Sequence, residues 1–226
     1  MTEQPCGTLA LVGGAEWREG CTFDADLVAA SGGTEVAVLP TAAAYEQPEA
    51  AVRWAAAYFE GLGATVKPVM VLSRSDAEDD EFAKVVADSR FLYLGGGSPL
   101  HLRSVLKGSK VWEAIVSAWR SGAVLAGSSA GAMVLCDPMV DPRGGAFTLG
   151  LGLIEQLAFI PHHDTWSPEK AKRTIDLAAK GLPVVAVDER TALIRDPAGS
   201  WRSAGAGSVT VFVDGHEAGL EALPQG

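Results

Sequence analysis

The chain has 226 residues, 48% of them apolar and 20% charged, and a formal net charge of −10. This is the composition of a folded globular protein, long enough for one large α/β domain over residues 1–226 that needs no disulfide or metal to hold its core. The acidic balance excludes nonspecific nucleic-acid binding, which rests on Lys and Arg neutralising phosphates, and no apolar run reaches the roughly 18 residues of a membrane span.

In chain order, Thr8–Val12 reads as a strand ending in Gly13-Gly14, and Val36–Leu39 as a second strand stopped by Pro40. Glu49–Gly61 has helical periodicity, with Val52, Ala55, Ala56 and Phe59 on one face. Val66–Leu72 is expected to be a strand, the acidic segment Asp76–Asp88 a helix, and Phe91–Leu94 a short strand running into Gly95-Gly96-Gly97. Ser98 then suits a helix N-cap, with Pro99 in the first helical position.

Val111–Arg120 is the next expected helix, and Val124–Ala126 an apolar strand entering a turn. Beyond it lie expected strands at Leu157–Ile160, Val184–Val187, Ala192–Ile194 and Val209–Val213, and a helix over Ser167–Ala179. Asp196-Pro-Ala-Gly-Ser is expected to act as a hairpin-like loop between the last two strands. Alternating strands and helices over the first two thirds imply a mostly parallel, doubly wound α/β sheet, with a short antiparallel addition near the C-terminus. In such sheets the functional crevice lies at the carboxyl ends of the strands, where three glycine-rich turns fall.

Gly127-Ser128-Ser129-Ala130-Gly131 matches the G-x-S-x-G nucleophile elbow in its required setting, after a buried strand and before a helix of small residues. A tight turn of this kind lifts the Ser129 hydroxyl out of the sheet beside the positive end of a helix. The competing reading is a small-residue helix start or a phosphate-binding turn. A serine nucleophile needs a base. Of four histidines, His216 falls in an exposed turn and His101 within a helix, whereas His162 and His163 follow a strand and Pro161. One of this pair is therefore the expected base. The N–H of Ala130, and that of Gly97, are the candidate donors to an oxyanion.

Gly-Gly-Gly-Ser-Pro-Leu-His-Leu (95–102), Gly-Ser-Ser-Ala-Gly-Ala (127–132), Ile-Pro-His-His-Asp (160–164) and Val-Asp-Glu-Arg-Thr-Ala-Leu (187–193) occur in one order. In these motifs, over about residues 8 to 213, the chain resembles the dipeptidase E and cyanophycinase family of serine peptidases. The resemblance implies a class I glutamine amidotransferase-like α/β fold in which serine replaces the amidotransferase cysteine. It further implies Ser129 as nucleophile, His162 as base with His163 in an aromatic position, and Gly97 and Ala130 as oxyanion donors. The third catalytic member is expected between nucleophile and histidine, where Asp137 and Asp141 both stand, and the choice between them is open. Ser98 and His101 replace the asparagine and glutamine of dipeptidase E at substrate-facing positions. Glu189 is expected near the site, as a substrate contact or a structural carboxylate at a strand end rather than a catalytic group.

The expected activity is hydrolysis of a peptide or isopeptide bond in small peptides, aspartyl or β-aspartyl ones among them, through an acyl-enzyme and without metal or organic cofactor. An esterase or amidase on a nonpeptide substrate would use the same groups. A noncatalytic ligand-binding or regulatory domain would explain the replacements at Ser98 and His101. The expected partner is a small peptide, with neither nucleic acid nor membrane; whether the chain forms a homodimer is open. Cys6, Cys21 and Cys136 cannot all pair and lack metal-ligand spacing, and no basic segment precedes an apolar one at the N-terminus. Both features lead to the expectation of a cytoplasmic protein without a signal peptide.

Overall fold

The structure, a computed structural model, describes residues 6–224. Its main sheet is built on β1 (Leu9–Val12), β2 (Glu35–Leu39), β3 (Thr65–Pro68), β4 (Phe91–Leu94) and β5 (Val124–Ser128). These run parallel in the order β1-β5-β4-β2-β3. The crossovers carry α1 (Phe23–Ser31), α2 (Pro48–Gly61), α3 (Arg74–Ala77), α4 (Asp80–Ala87), α5 (Pro99–Leu106) and α6 (Lys110–Arg120). After β5 comes α7 (Ala130–Leu135), then the two-residue strands β6 (Cys136–Asp137), β7 (Met139–Val140), β8 (Phe147–Thr148) and β9 (Ile154–Glu155).

Because successive side chains of a strand point to opposite faces, each central strand divides its residues between two apolar layers. Leu9, Leu11, Leu92, Leu94 and Leu125 pack on one side with Leu102 of α5, Ile115 of α6 and Val134 of α7. Ala10, Val12, Phe91, Tyr93, Val124 and Ala126 pack on the other with Phe23 and Leu27 of α1 and Ala55 and Phe59 of α2. The sheet is thus doubly wound, as the alternation of elements requires.

The last third builds a second sheet, in the order β10-β11-β14-β15, from β10 (Ala158–Ile160), β11 (Val184–Val187), β14 (Val209–Val213) and β15 (His216–Ala218). Between β10 and β11 lies α8 (Pro168–Asp176). The chain returns to the main sheet through β12 (Thr191–Arg195), antiparallel to β1, and β13 (Trp201–Gly205), antiparallel to β12. The Asp196 loop therefore joins β12 to β13, and Val209–Val213 belongs to the other sheet. β13 escaped expectation because its Trp-Arg-Ser-Ala-Gly sequence lies on an exposed edge and has little apolar signal.

Two further departures have local causes. The third strand ends at Pro68 because the Asp76 carboxylate accepts from the N–H of Leu72 and of Ser73, turning the chain into α3. The acidic helix is broken in two because Asp79 caps α4, its carboxylate accepting from the N–H of Glu81 and of Phe82. Among the described residues no helix is long and apolar enough to cross a membrane.

Asp24, in the first turn of α1, is fully buried, and burial pushes its carboxyl up to about 8 against the downward pull of Tyr58. An unfolded aspartate titrates near 3.9, so the folded chain retains a proton that the unfolded chain releases between about pH 4 and 8. Stability contributed by this site is present below about pH 4 and lost as pH rises through about 8. Asp24→Asn is expected to flatten that fall. Urea midpoints at pH 5 and pH 8 check this, with wild type losing up to about 1.4 kcal/mol per pH unit from this group within the window.

Candidate active site

Ser129 sits between β5 and α7 with φ 48° and ψ −108°, a conformation that costs a non-glycine residue on the order of 1–3 kcal/mol. The turn tolerates it because Gly127 and Gly131, two residues either side, have no side chains to collide. A Cβ at Gly127 would lie 2.6 Å from the Gly131 carbonyl, and one at Gly131 would lie 2.3 Å from the Leu94 carbonyl oxygen. The Ser129 N–H donates to the Val12 carbonyl at 2.9 Å, tying the turn to the end of β1.

His162 follows Pro161 at the end of β10, with φ 52° and its N–H donating to the Gly13 carbonyl at 2.7 Å. Its Nε2 lies 2.9 Å from Ser129 Oγ, and its Nδ1 lies 2.8 Å from Glu189 Oε1. An ionised carboxylate can only accept, so Nδ1 donates to Glu189 and Nε2 is left to accept the serine proton. Glu189 is itself placed by Asp164, whose carboxylate accepts from the Glu189 N–H at 3.0 Å. Ser129, His162 and Glu189 form one continuous chain of hydrogen bonds.

The acid at the histidine is therefore Glu189, neither Asp137 nor Asp141. Asp141 binds Arg143 in a bidentate pair at 2.9 and 2.7 Å, and the guanidinium and N–H of Arg143 hold its carboxyl down to about 2. Asp137 accepts from the N–H of Gly150 at 2.9 Å. Each carboxylate orders its own loop between α7 and β10, so the expected position of the acid, between nucleophile and base, does not hold. Glu189 comes after the histidine, in the connection from β11 to β12.

The other candidates fall at varying distances from this chain of bonds. The N–H groups of Gly97 and Ala130 form no hydrogen bond among the described residues. Gly97, with φ 135°, passes so close to the Ala42 carbonyl that a Cβ would stand 2.4 Å from its oxygen. Ser98 is occupied in capping α5, its hydroxyl accepting from the His101 N–H at 3.3 Å. The His101 ring bonds the Leu72 carbonyl at 3.0 Å and meets Tyr45 edge-on. His163 turns away from Ser129, its Nδ1 3.5 Å from Asp188 and its ring against Phe212.

Two contributors were not singled out as site residues in the sequence. Glu16, in the turn after β1, accepts from the Gly96 N–H at 2.9 Å and from the Ser128 hydroxyl at 2.8 Å. Asp164 was visible only as the end of a motif. A cavity of about 670 Å³ opens beside the turn, bounded by Gly96, Gly97, Glu16, Trp17 and Tyr58. Among the described residues no group of three or more His, Cys, Asp or Glu side chains could hold a metal ion.

Residues 9–198 match the model of peptidase family S51. The chain is 25% identical over 218 residues to the cyanophycinases of Synechococcus elongatus and of Thermosynechococcus vestitus, covering 91% of this chain and 67% of each relative. Among solved structures, a peptidase from an acI-B1 Actinobacterium superposes with a TM-score of 0.85 at 30% identity, covering 96% of this chain and 94% of that one. A candidate peptidase E from Listeria monocytogenes EGD-e shares the fold, with a TM-score of 0.60 at 16% identity over 92% of this chain and 98% of its own.

Gly14 tests the packing of the histidine. A Cβ there would lie 2.1 Å from Cε1 of His162, at a φ of 121°. Gly14→Ala is expected to displace the ring and slow fluorophosphonate labelling of Ser129 by about 10²-fold or more, as misplacement of a reacting group does. Gly63→Ala is the control, since Gly63 has φ 75° and open space around it. It should lower stability by about 1 kcal/mol and leave labelling unchanged.

Proposed function

From the membership of this chain in peptidase family S51, and hence its nature as a serine-type peptidase, we propose that Ser129, His162 and Glu189 cleave small peptides through an acyl-enzyme. The observation that carries this reading is the unbroken contact from Ser129 Oγ through both nitrogens of His162 to Glu189. A noncatalytic domain has no need to keep a strained serine 2.9 Å from an imidazole.

The chemistry follows from the donors and acceptors. As Ser129 Oγ attacks the scissile carbonyl carbon, His162 Nε2 takes its proton, and Glu189 stabilises the resulting imidazolium through Nδ1. Negative charge developing on the carbonyl oxygen is met by the N–H groups of Gly97 and Ala130, which form no hydrogen bond among the described residues. The imidazolium then returns the proton to the leaving amine. Water, activated by the same nitrogen, releases the acyl group and restores the serine.

The substrates we assign are aspartyl and β-aspartyl peptides short enough to enter the cavity beside Gly96 and Gly97. The resemblance to cyanophycinases supports this class, and Arg18 on the cavity lining supplies a cation for the substrate carboxylate. The three cysteines are unpaired, which suits a reducing cytoplasm, and we place the protein there.

Ser129→Ala is expected to abolish turnover of aspartyl dipeptides and β-aspartyl-arginine while keeping the wild-type circular dichroism. Activity persisting in the purified variant would sink the assignment. Glu189→Gln should lower kcat by about 10²–10⁴-fold by freeing the imidazole to take the wrong tautomer. Asp141→Asn should leave kcat near wild type and lower stability, because it breaks only the pairing with Arg143. Reversal of these two results would return the third catalytic role to the loop before β10.

A further inference from the structure

Glu16 poses a charge problem at the proposed oxyanion site. Its carboxylate is held in place by the Gly96 N–H and the Ser128 hydroxyl, the residues adjoining Gly97 and Ser129. A methyl group added at Gly96 would touch both centres, 3.1 Å from Oε1 of Glu16 and 3.6 Å from Cβ of Ser129. The Glu16 carboxylate and the Ser129 side chain therefore flank the same point beside Gly96. A fixed negative charge so close to a developing oxyanion opposes the reaction by simple Coulomb repulsion. The cavity around it deepens the imbalance, because Glu19 and Glu46 also line it against a single arginine, Arg18. Trp17, Tyr58 and Trp54 also line it, and Trp54 is 68% exposed.

We propose that Glu16 is a specificity-determining residue, and that the cavity binds a cationic group of the substrate close to the scissile carbonyl. The cation is either the α-ammonium of the substrate's first residue or the ammonium or guanidinium of a side chain. This inference rests on Ser129 being the nucleophile. Bound there, the cation cancels the repulsion between Glu16 and the oxyanion, so that a substrate without it is attacked in an unfavourable field. Aromatic faces beside carboxylates are suited to holding an organic cation while excluding water. Glutamate at position 16 thereby makes charge on the substrate a condition for fast acylation.

Glu16→Gln isolates the charge, since the amide oxygen can still accept from Gly96 N–H while the amide nitrogen donates to the Ser128 hydroxyl. The readout is the second-order rate at which diphenyl aminoalkylphosphonates modify Ser129, followed by intact mass. Four probes serve: a free-amine and an N-acetyl compound with a norleucine-like side chain, and N-acetyl compounds with a guanidinium and with a citrulline-like side chain. Wild type is expected to react about tenfold or more faster with at least one cationic probe than with its neutral partner, equivalent to one favourable charge contact. The favoured pair identifies whether the cation is the α-ammonium or the side chain. In Glu16→Gln that ratio should fall below about threefold, the neutral probes gaining speed as the cationic one loses it.

Equal rates for charged and neutral probes in wild type would overturn the proposal without any variant being made. So would a uniform slowing of all four probes in Glu16→Gln, which would make Glu16 a prop for the glycine turn alone. If no probe modifies Ser129, and a simple fluorophosphonate also fails to, the assignment of the nucleophile falls first and this inference falls with it.

Discussion

The carboxyl end of β1 is the reference point from which the site is built. The Val12 carbonyl accepts from Ser129, the Gly13 carbonyl from His162 and the Gly14 carbonyl from Arg190, while the Gly13 N–H donates to Thr191. Three segments distant in sequence are thus bonded to three consecutive residues, the last of β1 and the two that follow it. Glycine is required there for steric reasons. A side chain at Gly13 would strike the Asp188 carbonyl, and one at Gly14 would occupy the space of the His162 ring. The contact between hydroxyl and imidazole follows from this backbone bonding, not from attraction between the two side chains.

The strain in the turn is supported by the core behind it. Ser129 and His162 both have positive φ, which ordinary side chains avoid, and such residues persist only where the surroundings over-determine them. Here β5 is completely buried in the middle of the sheet, and α7, made of six buried residues, leaves no room for the chain to relax. Burial of this order contributes roughly 25 cal/mol per Å² of apolar surface, enough over a few side chains to exceed the local conformational cost.

Two carboxylates face the centre from opposite sides with opposite consequences. Glu189 reaches the imidazole nitrogen remote from the serine, where negative charge helps the ring accept a proton. Glu16 lies on the side of the glycine turn, where negative charge hinders an oxyanion unless a cation accompanies it. The same chemical group therefore assists one step and selects among substrates for another, and position alone separates the two roles.

Much of this could be read before any fold was known. Apolar runs located β1, β2, β4, β5, β11 and β14, and Gly127, Ser129 and Gly131 announced a strained turn, because strand burial and turn sterics are local properties of a few consecutive residues. Weaker signals failed for equally local reasons: α1 mixes apolar and polar residues without a clear stripe, and β13 lies exposed at an edge. The identity of the acid was a different matter. Asp137 and Asp141 stood closer to the histidine along the chain, yet the Gly150 N–H and Arg143 claimed them. Glu189 reached His162 only because β11 and β12 belong to different sheets and the connection between them passes the end of β1. Glu16 likewise met Gly96 across 80 residues. The sequence by itself determined which segments are strands, where the chain must turn tightly and which serine stands in that turn. Only the packing of the two sheets decided which carboxylates face the serine, since a hydrogen bond between distant segments depends on where the backbone brings them.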